Sequence, residues 1–203
     1  MPLVKEREYR ALAAPLSAAA VTKRIQTDYY VEGYATTFNS PYLLFEFQDG
    51  WKYYERIDSH ALDGADMSDV IMQYDHAGRV FARTGKTKSL IIQPDNVGLF
   101  MCADLGRTEA ARGLYQDIAA ELVTKMSWAF VVAKDSITED RNARTITRDV
   151  LEIKKVYDVS AVSRPANEET EISARSFATR SYEQIQAEYL ERRAKLLKLK
   201  TML

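Results

Sequence analysis

Two histidines, His60 and His76, are the chain's only imidazoles, so the search for a general base is short. Imidazole is the side chain whose ordinary pKa, about 6.5, lies near a neutral working pH. His60 sits in RIDSHALDG, a polar, turn-like segment, and reads as a surface residue. His76 sits in IMQYDHAGRV, where a short apolar strand ends. A polar group at the rim of a strand can face a cleft while its backbone stays fixed. A structural or merely exposed histidine is the competing reading.

A nucleophile needs a rigid seat and a nearby base. Ser127 is the one hydroxyl in the apolar run from Met126 to Ala133. Strand alternation puts Ser127, Ala129, Val131 and Ala133 on one face, and the larger Met126, Trp128 and Phe130 on the other. The small-residue face leaves room for a substrate backbone. A serine hydrogen-bonded within a sheet fits the same run.

The acid candidate is Asp158, in KKVYDVSAVSRPAN. A carboxylate in an apolar strand is costly unless paired, and a histidine Nδ1–H is a suitable partner. Asp75 is its rival because it precedes His76. In an extended strand Asp75 points away from whatever His76 faces, unless the chain turns there. Ser160 and Ser163 flank Asp158 and are rival nucleophiles. Ser160 shares the strand face of Asp158 and can help to hold the carboxylate. Backbone N–H groups near Arg164, in the SRPAN turn, are the candidate donors to an oxyanion.

Other chemistries lack their signals. There is no HExxH or CxxC spacing, no GxSxG elbow, no Walker A sequence and no GxGxxG, so no metal or other cofactor is expected. A hydrolase using Asp75 and His76 with a metal stands as a further rival. The single cysteine, Cys102, lies in GLFMCADL and reads as a small core residue; with no intrachain disulfide the chain suits a reducing compartment. A net charge of -1, with 28% charged residues, gives no reason to expect nucleic acid as a partner. No run reaches the roughly 18 apolar residues of a membrane span. The small, apolar stretch from Ala11 to Val21 is not read as a signal peptide, because Glu6 and Glu8 precede it and Pro15 and Ser17 interrupt it.

These residues must be positioned by 203 residues, enough for one domain with tails. Residues 1–26 read as a loosely ordered arm able to add an edge strand. Strand signals follow over 29–38, 43–47, 51–57, 69–74, 79–84, 90–93 and 97–105, with Gln48-Asp49-Gly50 as a hairpin turn. From Thr108 to about Lys125 the spacing turns helical, with Ala111, Leu114, Tyr115, Ile118 and Leu122 on one face. Strand character returns over 126–133, 145–148 and 150–162. The expected division is an arm, a β domain over 27–166, a polar linker over 167–180 and a helical tail over 181–203, begun by a capping box at Ser181. The tail's Ile185, Tyr189, Leu196 and Leu199 share one side, which can pack at home or dock on a partner or second copy. Many short strands with one late helix predict a mostly antiparallel barrel or sandwich with helices outside, an α+β chain.

The order His76, Ser127, Asp158, each in its context, resembles the tailed-phage prohead protease family of herpesvirus assemblin-like serine peptidases. The resemblance runs from about Glu8 to Ile172. VEGYATTF resembles the family's first strand, and YERIDSHAL its glutamate-led segment, with His60 where glycine is usual. QYDHAGRV resembles the histidine motif, with Asp75 for the frequent asparagine. DNVGLFMCADL resembles the strand that follows. KMSWAFVV resembles the serine motif, with Trp128 and Ala129 where isoleucine or phenylalanine and glycine are common. YDVSAVSRPAN resembles the acid motif, with Asp158 where glutamate is commoner. The resemblance implies a closed antiparallel barrel wrapped by helices. It also implies a protease packaged in the procapsid, in the host cytoplasm. Its substrate would be a scaffold protein or the N-terminal part of the major capsid protein, and often itself. A non-enzymatic capsid or scaffold component is the rival class, and a homo-oligomer is left open.

Overall fold

The computed structural model describes residues 7–18, 22–163 and 168–201. Among these described residues, ten strands and two longer helices follow one another in the order β1 (Glu8–Pro15), β2 (Tyr30–Thr37), β3 (Tyr42–Glu46), β4 (Lys52–Ile57), β5 (Ile71–Tyr74), β6 (Ala77–Arg83), β7 (Leu90–Pro94), β8 (Gly98–Asp104), α1 (Glu109–Ala119), β9 (Lys125–Asp140), β10 (Thr145–Val162) and α2 (Glu168–Thr201). The chain is α+β, as expected.

The strands form a seven-stranded sheet, ordered β1-β9-β10-β4-β3 with β5 and β6 attached beside β10, and a three-stranded sheet, β2-β8-β7. The larger sheet is mixed. β10 pairs antiparallel with β9 along its length but parallel with β4 near its start and parallel with β5 near its end. The expectation of a mostly antiparallel sheet misses these two pairings because β4 and β5 reach β10 through long connections, which permit parallel alignment. The sheets approach one another through the isolated Ser17–Glu32 bridge and where β6 lies beside β7. No continuous closed ladder is traced among the described residues.

The inner faces of both sheets and α1 share one core, which includes Val31, Leu99, Met101, Trp128, Phe130 and Val159. α1 adds Ala111, Leu114 and Ile118 to it, and the Thr108 side chain caps the helix by accepting from the Ala111 N–H. The helix stops at Ala119, short of the expected Lys125. Glu121 adopts a left-handed backbone, and the Leu122 N–H closes on the Asp117 carbonyl, a Schellman-type ending. Lys125 instead opens β9. Cys102 is fully buried, packed with Tyr30 and Phe100.

α2 starts at Glu168, inside the segment expected to be a polar linker. No glycine or proline occurs after Pro165, so nothing in that polar stretch breaks a helix. Ser181, expected at a helix start, lies inside the helix and is buried. Beside it Ala178, Tyr182 and Ile185 pack against Trp51, Tyr53 and Ile146 in a second small core.

Candidate active site

Ser127 and Asp158 come from adjacent strands. In the β9–β10 ladder Ser127 is opposite Ser160 and Ala129 is opposite Asp158, so all four side chains share one face. That face is turned away from Trp128 and Phe130, which stack in the core. The large-in, small-out alternation of β9 therefore seats the serine, and the carboxylate lies one diagonal step away on β10.

His76 arrives from the side. β5 runs parallel to the end of β10, with Ile71 opposite Asp158 and Tyr74 opposite Ala161. Tyr74 then pairs with Ala77, which leaves Asp75 and His76 as a two-residue hairpin tip. Both tip residues have positive φ, 50° and 57°, as in the type I′ turns that match the strand twist. The left-handed backbone costs a histidine of order 1 kcal/mol and aims its ring back across β10. The chain thus turns at the very place where an extended strand would have separated the two faces.

The ring completes a line of contacts. Nδ1 of His76 lies 2.6 Å from Oδ1 of Asp158, and Nε2 lies 2.6 Å from Oγ of Ser127. A carboxylate accepts only, so in a neutral imidazole the proton sits on Nδ1, and Nε2 is left to accept from the serine hydroxyl. That hydroxyl has a second acceptor within reach, the Arg10 carbonyl at 3.0 Å. The Ser160 hydroxyl donates to the same Asp158 Oδ1 at 2.7 Å. The Tyr9 ring meets the His76 ring edge-on, with centroids 4.8 Å apart. The line is shielded from bulk water: Ser127 is 1% exposed, and the side chains of His76 and Asp158 are 4% and 3% exposed. In low dielectric such polar contacts are strengthened.

The other candidates fall elsewhere. The Asp75 carboxylate accepts from the Ser163 N–H at 2.9 Å and from its hydroxyl, so it ties the hairpin tip to the end of β10. Ser163 is engaged by that contact and exposed. His60 is on the surface beside Asp63. Arg164 lies outside the described residues.

A second buried polar cluster was not anticipated as a unit. Glu55, fully buried on β4, accepts from Arg10 at 2.6 and 2.8 Å, from Arg148 at 2.9 Å and from the Tyr42 hydroxyl at 2.5 Å. Glu8 bridges both guanidinium groups, and Asp135 takes a further Arg148 donor. Burial alone would push the Glu55 carboxyl up; the two arginines outweigh it and hold it down at about 2. The signal lay in the alternation. Tyr53, Glu55 and Ile57 occupy one register, as do Ile146, Arg148 and Val150, so each strand places a charge among core positions. The cluster meets the site through Arg10, whose side chain it clamps and whose carbonyl touches Ser127.

No curated protein and no solved structure matches the chain. A family model described as caudovirus prohead serine protease matches residues 17–187, a span that contains His76, Ser127 and Asp158. By that match the chain belongs to the prohead serine protease family.

Proposed function

We propose that the protein is a serine endopeptidase of procapsid maturation, with Ser127 as nucleophile, His76 as general base and Asp158 as the group that orients the imidazole. The observation that carries this reading is the unbroken Asp158–His76–Ser127 line, with both contacts at 2.6 Å. Nε2 of His76 takes the hydroxyl proton as Oγ attacks the scissile carbonyl. The imidazolium that forms is stabilised by Asp158, and it then gives its proton to the leaving amine. Water repeats the sequence on the acyl-enzyme and frees the serine. Ser160 keeps Asp158 aimed by holding the same oxygen that faces the ring. Within the assemblin-like resemblance, the two sheets belong to one closed barrel that joins β1 to β2 and β6 to β7.

The substrates are a scaffold protein or the N-terminal segment of the major capsid protein, with self-cleavage alongside, inside the procapsid in the host cytoplasm. Family membership supports this reading. Co-expression with the neighbouring capsid protein, followed by mass measurement of both chains, tests it. The wild type should shorten its partner, and Ser127→Ala should leave it whole. Normal processing by a folded Ser127→Ala protein removes the proposed nucleophile. A wild-type protein that neither cleaves nor reacts with a serine-directed phosphonylating reagent is a structural capsid component instead.

A further inference from the structure

The hairpin that carries His76 is held to the sheet along one side. β5 pairs with β10 at Ile71–Asp158 and Tyr74–Ala161, while β6 pairs with β5 alone among the described residues. Ala77, Gly78, Arg79 and Val80, which lead away from the tip along β6, are all exposed, so packing does not hold the tip from that side. Yet the His76 ring keeps two contacts of 2.6 Å, to Asp158 and to Ser127. A misplacement of about 1 Å at a reacting group can cost roughly 100-fold in rate.

Asp75 supplies the missing hold. Its N–H donates to the Ala161 carbonyl at 2.9 Å. Its Oδ1 accepts from the Ser163 N–H at 2.9 Å, and its Oδ2 from the Ser163 hydroxyl at 2.9 Å. The two tip residues therefore grip β10 in opposite directions: His76 reaches back to Asp158, and Asp75 reaches forward to Ser163. The left-handed backbone at both positions, with φ of 50° and 57°, turns both side chains to the same strand. An extended pair would send them to opposite faces. Donors to a carboxylate bond more strongly than to a neutral acceptor, and two of them fix its direction. Ser163 is exposed, so water replaces the carboxylate at little cost when it is removed. Without the grip the fold keeps its stability and the tip loses its aim.

We propose that Asp75 is a positioning residue of the reaction: its grip on Ser163 holds the hairpin tip so that His76 reaches Ser127 and Asp158 together. This rests on the reading of those three residues as the reacting line. It gives Asp75 no part in proton transfer, which belongs to His76.

Glycine tests the side chain without penalising the turn, because it adopts positive φ freely. The substrate is a synthetic peptide spanning the cut that mass measurement locates in the capsid protein. Asp75→Gly should lower kcat by roughly 10- to 100-fold and leave KM within about twofold. Asp75→Asn keeps an oxygen for the Ser163 N–H and tolerates the left-handed backbone, so it should stay within about threefold of the wild type. Ser163→Ala should cost severalfold, and adding it to Asp75→Gly should cost nothing more. Proton NMR reads the same geometry without a substrate. The proton between His76 Nδ1 and Asp158 should give a low-field signal in the wild type and in Asp75→Asn, and the signal should broaden or vanish in Asp75→Gly. His60→Gln, which leaves His76 as the one imidazole, assigns it. Full kcat in Asp75→Gly, an unchanged low-field signal there, or an Asp75→Asn protein as slow as Asp75→Gly overturns the proposal. So does early melting of Asp75→Gly, which would make the contact structural. A wild type that cleaves nothing overturns the protease reading instead, and the low-field signal then decides on the grip alone.

Discussion

Two buried polar clusters sit on one sheet, and they are built on different rules. Around Glu55, two guanidinium groups meet three carboxylates in charge-assisted contacts. Around His76, one carboxylate, one imidazole and two hydroxyls form a line in which a single hydroxyl proton has two acceptors. In the first arrangement every one of these charges is paired within the cluster. The second keeps a proton that can move. On the proposed reading, burial of polar groups alone does not mark a reactive site; an unfinished proton assignment between an imidazole and a hydroxyl does.

If that contrast holds, activity and stability should separate. The largest effect is expected at the line of contacts. Ser127→Ala and His76→Ala should each lower the rate by roughly 10⁴-fold or more, and Asp158→Asn by about 10⁴-fold, while melting temperatures move little. Peptide hydrolysis and calorimetry on the same preparations measure both, and a variant that melts early without losing rate would invert the contrast. Next comes Glu55→Gln, which leaves the buried Arg10 with Glu8 as its one carboxylate partner among the described residues and Arg148 with Glu8 and Asp135. It should cost about 3–5 kcal/mol, a fall of roughly 10 °C in melting temperature, with the rate per folded molecule nearly kept. A collapse of rate at full stability would make the ionic cluster part of the chemistry.

Acid should expose the same division. The folded-state pKa of Glu55, about 2, lies below its ordinary 4.5. Its contribution to stability is therefore complete above about 4.5 and is lost as pH falls towards 2. Activity should fail at higher pH than the fold does, because a protonated His76 cannot accept the serine proton. Coincident loss of rate and structure on acidification would contradict this. The smallest effect is expected at Tyr9. An edge-to-face ring contact is worth about 0.5–1.5 kcal/mol, so Tyr9→Ala should lower kcat by up to roughly tenfold with KM unchanged. Tyr9→Phe, which keeps the ring, should restore it; equal rates in all three proteins would leave Tyr9 without a role at the site.

Much of the chain could be read directly. The β3–β4 hairpin at Gln48-Asp49-Gly50, the single buried face of α1 and the alternation of β9 follow from short-range patterns. The start of α2 did not, because polarity was taken for a linker where the absence of glycine and proline allowed a helix. Arg10 and Tyr9 were also missed. They lie in an arm whose pairing with β9 is visible only across more than a hundred residues of chain.

Local sequence determined which side chains share a face: the period of a strand fixes that without reference to the rest of the molecule. It set Ser127 among small residues and put Ser160 on the side of Asp158. Which strands become neighbours is a different matter, decided when β5 docks parallel to β10 and β1 antiparallel to β9. Only that docking brings His76 to partners 51 and 82 residues away and leaves Asp75 to hold Ser163. The physical reason is that such contacts depend on burying a shared core, a property of all the strands together and of no segment alone.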